Sequence, residues 1–438
     1  MLSQEEIQNI DKNTQDYSQV LSAPFLPLPR IDFIKSFLKD FPFEIIENDY
    51  SLIVKVQGIS SQKLVFMSHL DHPGIVVKNR HEGICFGSLF PERLLKIISQ
   101  KGSIPLDIYS PEGKLLTAGK LIGLGGDFHQ KAVLNIPVDV PQNSVAYYQI
   151  GLFKENKDFF YLYAADNDVP TICMLSLLQS LKSKPQLTLN FVFTFYEEVH
   201  QISSFRLAWK NLLGLTVQDL VLNLECKKIE NHSLNPARNH LDYKSGPVLQ
   251  PSEKDCLYGY QFDSPNQLER IILSTCHQQK VKIQYGLGLG STDARTFSNF
   301  RLTPNLCTLD VPNRFKHNCG EKGEIVLEKI YKRDLYSMYQ IIASLASTDK
   351  TSLNKSLLSE ENFLSYHFKE IDPITNPGAM SRKILLNYRL DFANKLKVIN
   401  KKYYQTSFLT ILFDSLLNLL SFPYYYLLWL SKSLQNNP

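Results

Sequence analysis

Four stretches of this chain are apolar almost without a break, and each stops on side chains that bind protons or cations. They are LVFMSHLD (residues 64–71), FFYLYAADND (159–168), LNFVFTFYEEV (189–199) and LVLNLE (220–225). A strand covered on one face alternates apolar and polar residues, whereas a strand covered on both faces reads as a continuous apolar run. Helix-like and strand-like stretches alternate along the chain. The expected fold is therefore α/β, a doubly wound and mostly parallel sheet with helices on both faces. Open sheets of this kind bind ligands in the crevice beyond the carboxyl ends of their strands. His69 and Asp71, Asp166 and Asp168, Glu197 and Glu198, and Glu225 are thereby expected to converge.

Composition narrows the function classes. With 438 residues, 44% hydrophobic and 21% charged, the chain can bury a large core and divide into two or three domains. A net charge of +4, without a concentrated basic block, gives no reason to expect nucleic acid as a partner. The seven cysteines are scattered without CxxC pairs, and MLSQEEIQNIDKNTQDYSQV lacks the apolar core of a secretory signal. Reduced thiols and a cytoplasmic location are expected. GLGLGST (286–292) misses the dinucleotide GxGxxG spacing, and no serine stands in a GxSxG elbow.

Each ending also has a purely structural explanation. Asp168 precedes VPTICMLSLLQSLKSK, with Pro170 tolerated in a first helical turn, so it reads as a helix cap and leaves Asp166 as the ligand candidate. Glu197 and Glu198 fit a solvated helix start, but adjacent carboxylates repel unless a proton or cation separates them. His69 alone reads as a satisfied core histidine. Taken jointly, the endings favour metal chemistry.

In their order these motifs resemble those of the glutamyl and tetrahedral aminopeptidases, the cellulase M-like branch of the co-catalytic metallo-aminopeptidases related to zinc carboxypeptidases. The likeness covers most of residues 20–345. It implies that His69 of HLD binds metal and Asp71 orients it, that Asp166 of AADND bridges two metals, and that Glu197 of FYEEV is the general base with Glu198 a ligand. Glu225 of LNLE takes a ligand position where the family commonly has Asp, and His317 of PNRFKHNCGE (312–321) takes the last. GSTDA (290–294) resembles the family's threonine and aspartate loop near the site.

The resemblance further implies two divalent metal ions per chain, zinc by ligand chemistry with cobalt or manganese also compatible. Two such ions can activate one water against an amide, with Glu197 taking its proton. Peptide substrates and a homo-oligomer follow as expectations. Besides Glu225, three departures stand out: Asn167 replaces a second acid, His72 stands where an acid commonly follows HxD, and His200 replaces a glycine after the glutamate pair. A deacylase using the same ions, or a membrane-associated binding protein with a vestigial site, are the competing readings.

Residues 78–160 carry short apolar pieces, frequent glycines and few helix-length periods, which reads as a small β domain. The resembling family has a β-barrel insert there. The expected organisation is a catalytic domain from 1–77 and 161–345, the insert 78–160, and an extension 346–438. Within that extension, 408–430 is an apolar helical tail interrupted by Asp414, Asn418 and Pro423. Upstream lysines and the aromatic cluster Tyr424, Tyr425, Tyr426 and Trp429 suit a membrane interface.

Overall fold

Three of the four apolar runs form neighbouring strands in the computed structural model, which describes residues 2–87, 89–126, 130–228, 243–250, 266–285, 292–300, 302–320 and 322–347. The fourth, FFYLYAADND, instead supplies Phe159–Leu162, an antiparallel strand set apart from them by two others. Thr188–Thr194, Lys63–His69, Leu220–Lys228 and Leu306–Arg314 lie side by side and parallel at the centre of an eleven-stranded sheet. Phe66 is in register with Phe191 on one side and Leu222 on the other. Antiparallel flanks extend this centre: Ser51–Val56 and Glu44–Glu47 at one edge, Glu328–Tyr331, Phe159–Leu162 and Phe153–Glu155 at the other.

Successive strand residues point to opposite faces, and here both faces are dry. Leu64 and Phe66 join a core with the helix Ala165–Ser180, whereas Val65 and Met67 join another with Ala294 and Phe297 of the helix Asp293–Asn299. This two-sided covering is the cause of the three unbroken central runs, whereas Phe159–Leu162 alternates between buried and half-buried residues. Each fully buried Phe, Leu or Val contributes roughly 1.5–3 kcal/mol of transfer free energy, which is offset largely by chain entropy.

Directly after His69 the chain leaves the sheet and builds a closed six-stranded barrel, beginning with Gly74–Asn79 and ending with Val145–Tyr148. Its inward residues, among them Val77, Leu106, Ile108, Leu121 and Leu134, form a separate core. Closure removes the exposed edges that an open antiparallel sheet would present. The chain returns through Phe153–Glu155 and Phe159–Leu162 and reaches Asp166 immediately afterwards. Departure and return thus bracket one place, the carboxyl end of the central strands.

Asp168 differs from the sequence expectation. Asp166 and Asn167 have non-helical backbone angles within the helix Ala165–Ser180, and no side chain caps it. The Asp168 carboxylate instead takes both arms of the Arg30 guanidinium, at 2.5 and 3.2 Å, in a fully buried pair. Arg30 also donates to the Leu21 carbonyl and lies 4.2 Å over the Tyr17 ring. Burial raises the Asp168 carboxyl to about 6 despite the arginine. A long-range partner inside the core displaced the local cap that spacing alone suggests.

Among the described residues no helix is long and apolar enough to cross a membrane. The apolar tail 408–430 and the glycine-rich stretch 286–291 lie outside the described residues. The buried pair yields a direct test: Arg30→Met strands Asp168 in the core and should lower unfolding free energy by about 3–5 kcal/mol. Urea denaturation with an unchanged m-value checks it.

Candidate metal centre

The carboxyl ends of the central strands deliver acids and imidazoles to one buried point. His69 ends its strand at 1% exposure, Glu225 lies within Leu220–Lys228 at 3%, and Asp166 is fully buried. Nδ1 of His69 donates to the Asp71 carbonyl at 2.9 Å. That bond fixes the ring so that Nε2 faces Asp166 Oδ1 at 3.5 Å and Glu225 Oε2 at 3.4 Å. On the other side of Asp166, its Oδ2 lies 3.1 Å from His317 Nε2, which is 3.0 Å from Glu198 Oε1.

The donors fall into groups whose ligand atoms lie within 4.8 Å of one another: His69, Asp166 and Glu225; Asp166, Glu198 and His317; and His69, Glu197 and Glu198. Asp166 belongs to the first two. Its Oδ1, and Oε1 of Glu225, are buried without a hydrogen-bond partner. An orphaned carboxylate oxygen buried in protein costs several kcal/mol unless a cation or proton meets it. Imidazole and carboxylate donors at this density suit zinc, with cobalt and manganese compatible. The residues present therefore fit divalent ions.

Electrostatics point the same way. Burial disfavours a charged His69, yet Glu225, Asp166 and Asp71 outweigh it and hold the imidazole well above its ordinary range. His317 is raised to about 10, because Glu198 and Asp166 overcome the opposing effect of burial. Burial, reinforced by repulsion from Glu198, Glu225 and Asp293, pushes the Glu197 carboxyl well up. An excess of negative charge that draws protons onto imidazoles is also an attractive field for cations.

Asp71 does more than face His69. Its Oδ1 accepts from the backbone N–H of Glu197 at 3.0 Å and its Oδ2 from that of Glu198 at 3.1 Å. One carboxylate thus ties the HLD turn to the paired glutamates. Gly87, at the end of the barrel strand Glu82–Phe86, comes close enough that a Cβ there would meet Glu198 Oε2 at 2.9 Å. Only glycine lets the barrel approach this carboxylate so closely.

Several participants escaped the sequence reading. Glu328, fully buried, accepts from Asp166 N at 2.8 Å, from Asn313 Nδ2 at 3.1 Å and from His317 N, holding the backbones of two candidate ligands at once. Burial raises its carboxyl to about 8. An acid inside the strand-like VLEKIY was the available signal. Lys316 places Nζ 2.6 Å from Asp166 Oδ2. It shares a turn in which Phe315, His317 and Asn318 all have positive φ, 74°, 58° and 59°, a conformation costing non-glycine residues of order 1 kcal/mol each.

The departures from the family pattern also acquire places. His72 is fully buried and donates from Nδ1 to the Asp166 carbonyl at 2.6 Å. Asn167 donates to Ser68 Oγ and the Leu224 carbonyl. His200 adopts φ 66°, a backbone position that glycine takes without steric cost. Asp293 of the threonine and aspartate loop is buried and accepts from Thr194.

Glu328→Ala would leave the N–H groups of Asp166 and His317 without their acceptor, each worth about 1–3 kcal/mol. We expect a matching fall in urea stability and a loss of roughly 10–100-fold in metal affinity. Denaturation and metal titration on the same sample check both.

No protein-family model matches the sequence, and no curated protein matches it. Solved structures do. Aminopeptidase APDkam598 from the archaeon Desulfurococcus kamchatkensis is 16% identical with a TM-score of 0.63, over 81% of this chain and 99% of that one. The TET1 peptidase of Pyrococcus horikoshii, which can assemble into a tetrahedron or a large octahedral shell, is 18% identical with a TM-score of 0.60, over 77% and 99%. A Thermotoga maritima protein described as an endoglucanase is 15% identical with a TM-score of 0.55, over 78% and 98%. These likenesses agree with the family resemblance of the motifs, and the chain has the fold of the tetrahedral aminopeptidases.

Proposed function

We propose that this protein is a metal-dependent aminopeptidase that removes N-terminal residues from peptides. The observation that carries the proposal is the sharing of Asp166 between two donor groups, His69 with Glu225 and His317 with Glu198, beside the separate carboxylate of Glu197. The fold shared with the Desulfurococcus and Pyrococcus enzymes favours a peptide substrate over an N-acyl amino acid. Assembly into a homo-oligomer, as TET1 assembles, and a cytoplasmic location belong to the same reading.

Two divalent ions, zinc by the donor chemistry, would polarise the scissile carbonyl and acidify a water when bound. The chain's residues do the rest. His69 and Glu225 would hold one ion and Glu198 and His317 the other, with Asp166 available to both. Asp71 orients His69 through its carbonyl and fixes the backbone of Glu197 and Glu198 through its carboxylate. Glu197, whose ligand-type oxygen lies within 4.8 Å of those of His69 and Glu198, takes the water proton and delivers it to the leaving amine.

Glu197→Gln should lower kcat about 10²–10⁴-fold while metal content stays at the wild-type level. Assays against aminoacyl anilides and N-acyl amino acids, paired with elemental analysis, check this. Hydrolysis of the acyl series alone would sink the aminopeptidase assignment.

The pH dependence has a definite sign. A general base works ionised, and the surroundings of Glu197 favour its protonated form. Activity is therefore present above its pKa and lost as pH falls through it. That direction belongs to the metal-free chain, and bound cations would favour the ionised form. We therefore expect kcat/KM to fall on the acid side as Glu197 protonates and the limb to move to higher pH when metal is limiting, measured across a buffered pH series at two metal concentrations.

A further inference from the structure

Resting on the dinuclear reading above, the geometry points to unequal cation positions, with Lys316 acting as a tethered competitor for the ion at Glu198 and His317. The two oxygens of Asp166 are satisfied differently. Oδ1, on the side of His69 and Glu225, has no hydrogen-bond partner, and Glu225 Oε1 beside it has none. Oδ2, on the side of Glu198 and His317, already receives the Lys316 ammonium at 2.6 Å and the His317 imidazole at 3.1 Å. At the first position these oxygens face only the His69 imidazole, no nearer than 3.4 Å. At the second, an ion must displace the Lys316 ammonium in addition to facing an imidazole.

Lys316 is held for that purpose and can also leave. Its Nζ donates to the Cys226 carbonyl at 3.0 Å as well as to Asp166, so the ammonium is anchored from two sides. Its side chain is 23% exposed, unlike the fully buried carboxylate it meets. A lysine has a flexible four-carbon stem and a strongly hydrated head, so an outward swing restores its hydration as an ion enters. The positive-φ residues on either side, Phe315 and His317, fix the turn that delivers Lys316 and His317 to the same oxygen. Lys316 is thus a positioning residue that sets the order of metal loading: the His69 and Glu225 position fills first, and the other fills at higher free metal.

The experiment is a zinc titration of chelator-stripped full-length protein, read by equilibrium dialysis with elemental analysis and by calorimetry. Wild type should take up one tightly held ion and a second at higher free zinc. Lys316→Met keeps the length of the side chain and removes its charge. It should tighten the second step by at least about tenfold, and by more than the first, because only the second no longer has to break a short charge-assisted bond. Lys316→Arg keeps the charge and should retain the weak second step, and circular dichroism confirms that each variant is folded. Two equally tight ions in wild type, or a second step unmoved in a folded Lys316→Met, would overturn the inference while leaving the dinuclear site standing. Zinc bound by none of the three proteins would overturn the dinuclear reading itself.

Discussion

The structure turns on a concentration of buried carboxyl groups. Asp71, Asp166, Glu197, Glu198, Glu225 and Asp293 gather where the parallel strands end, in a setting where an isolated ionised carboxylate costs several kcal/mol. Compensation comes in three forms. Backbone N–H groups meet Asp71 and Glu328, imidazoles meet Asp166 and Glu198, and Lys316 meets Asp166. Oxygens that receive none of these, on Asp166 and Glu225, define where a cation gains most.

Such an arrangement needs a rigid frame, and the fold provides it from two directions. The central strands are buried on both faces, so their ends cannot drift without disturbing two cores. The barrel leaves the sheet after His69 and the chain re-enters it just before Asp166, which ties the barrel to the site at both ends of its path. Across that gap Phe90 sets its ring 5.8 Å from the His317 ring, and Arg93 donates to the Gly320 carbonyl. The barrel's near end thus bears on the strained turn that carries His317 and Lys316.

Much of this was legible in the sequence because parallel strands announce themselves. A run such as LVFMSH has no polar side to hide, and a ligand-type residue at its end marks the crevice. His69, Asp71, Glu197, Glu198 and Glu225 cluster for that reason, whereas Asp166 follows an antiparallel strand and His317 was signalled only by the family resemblance. What the sequence left hidden depends on contacts between distant segments. Asp168 looked like a cap because caps are local, but Arg30, 138 positions away, claims its carboxylate. Glu328 sits in a short strand whose alternation suggests an ordinary edge, and its role exists only once Asp166 and His317 lie on either side. Lys316 is one basic residue among 47, and nothing in its neighbours says that a turn with positive φ aims it at a carboxylate. His200 shows the reverse case, a visible departure from a family glycine whose backbone still takes the glycine-like angle.

The shared use of one carboxylate by two cations is the claim on which the functional account stands. Anomalous diffraction from crystals grown in excess zinc addresses it most directly. The account predicts two metal peaks about 3.5–4 Å apart with one oxygen of Asp166 on each. A single peak that Asp166 does not touch, or peaks only at surface histidines, would contradict it.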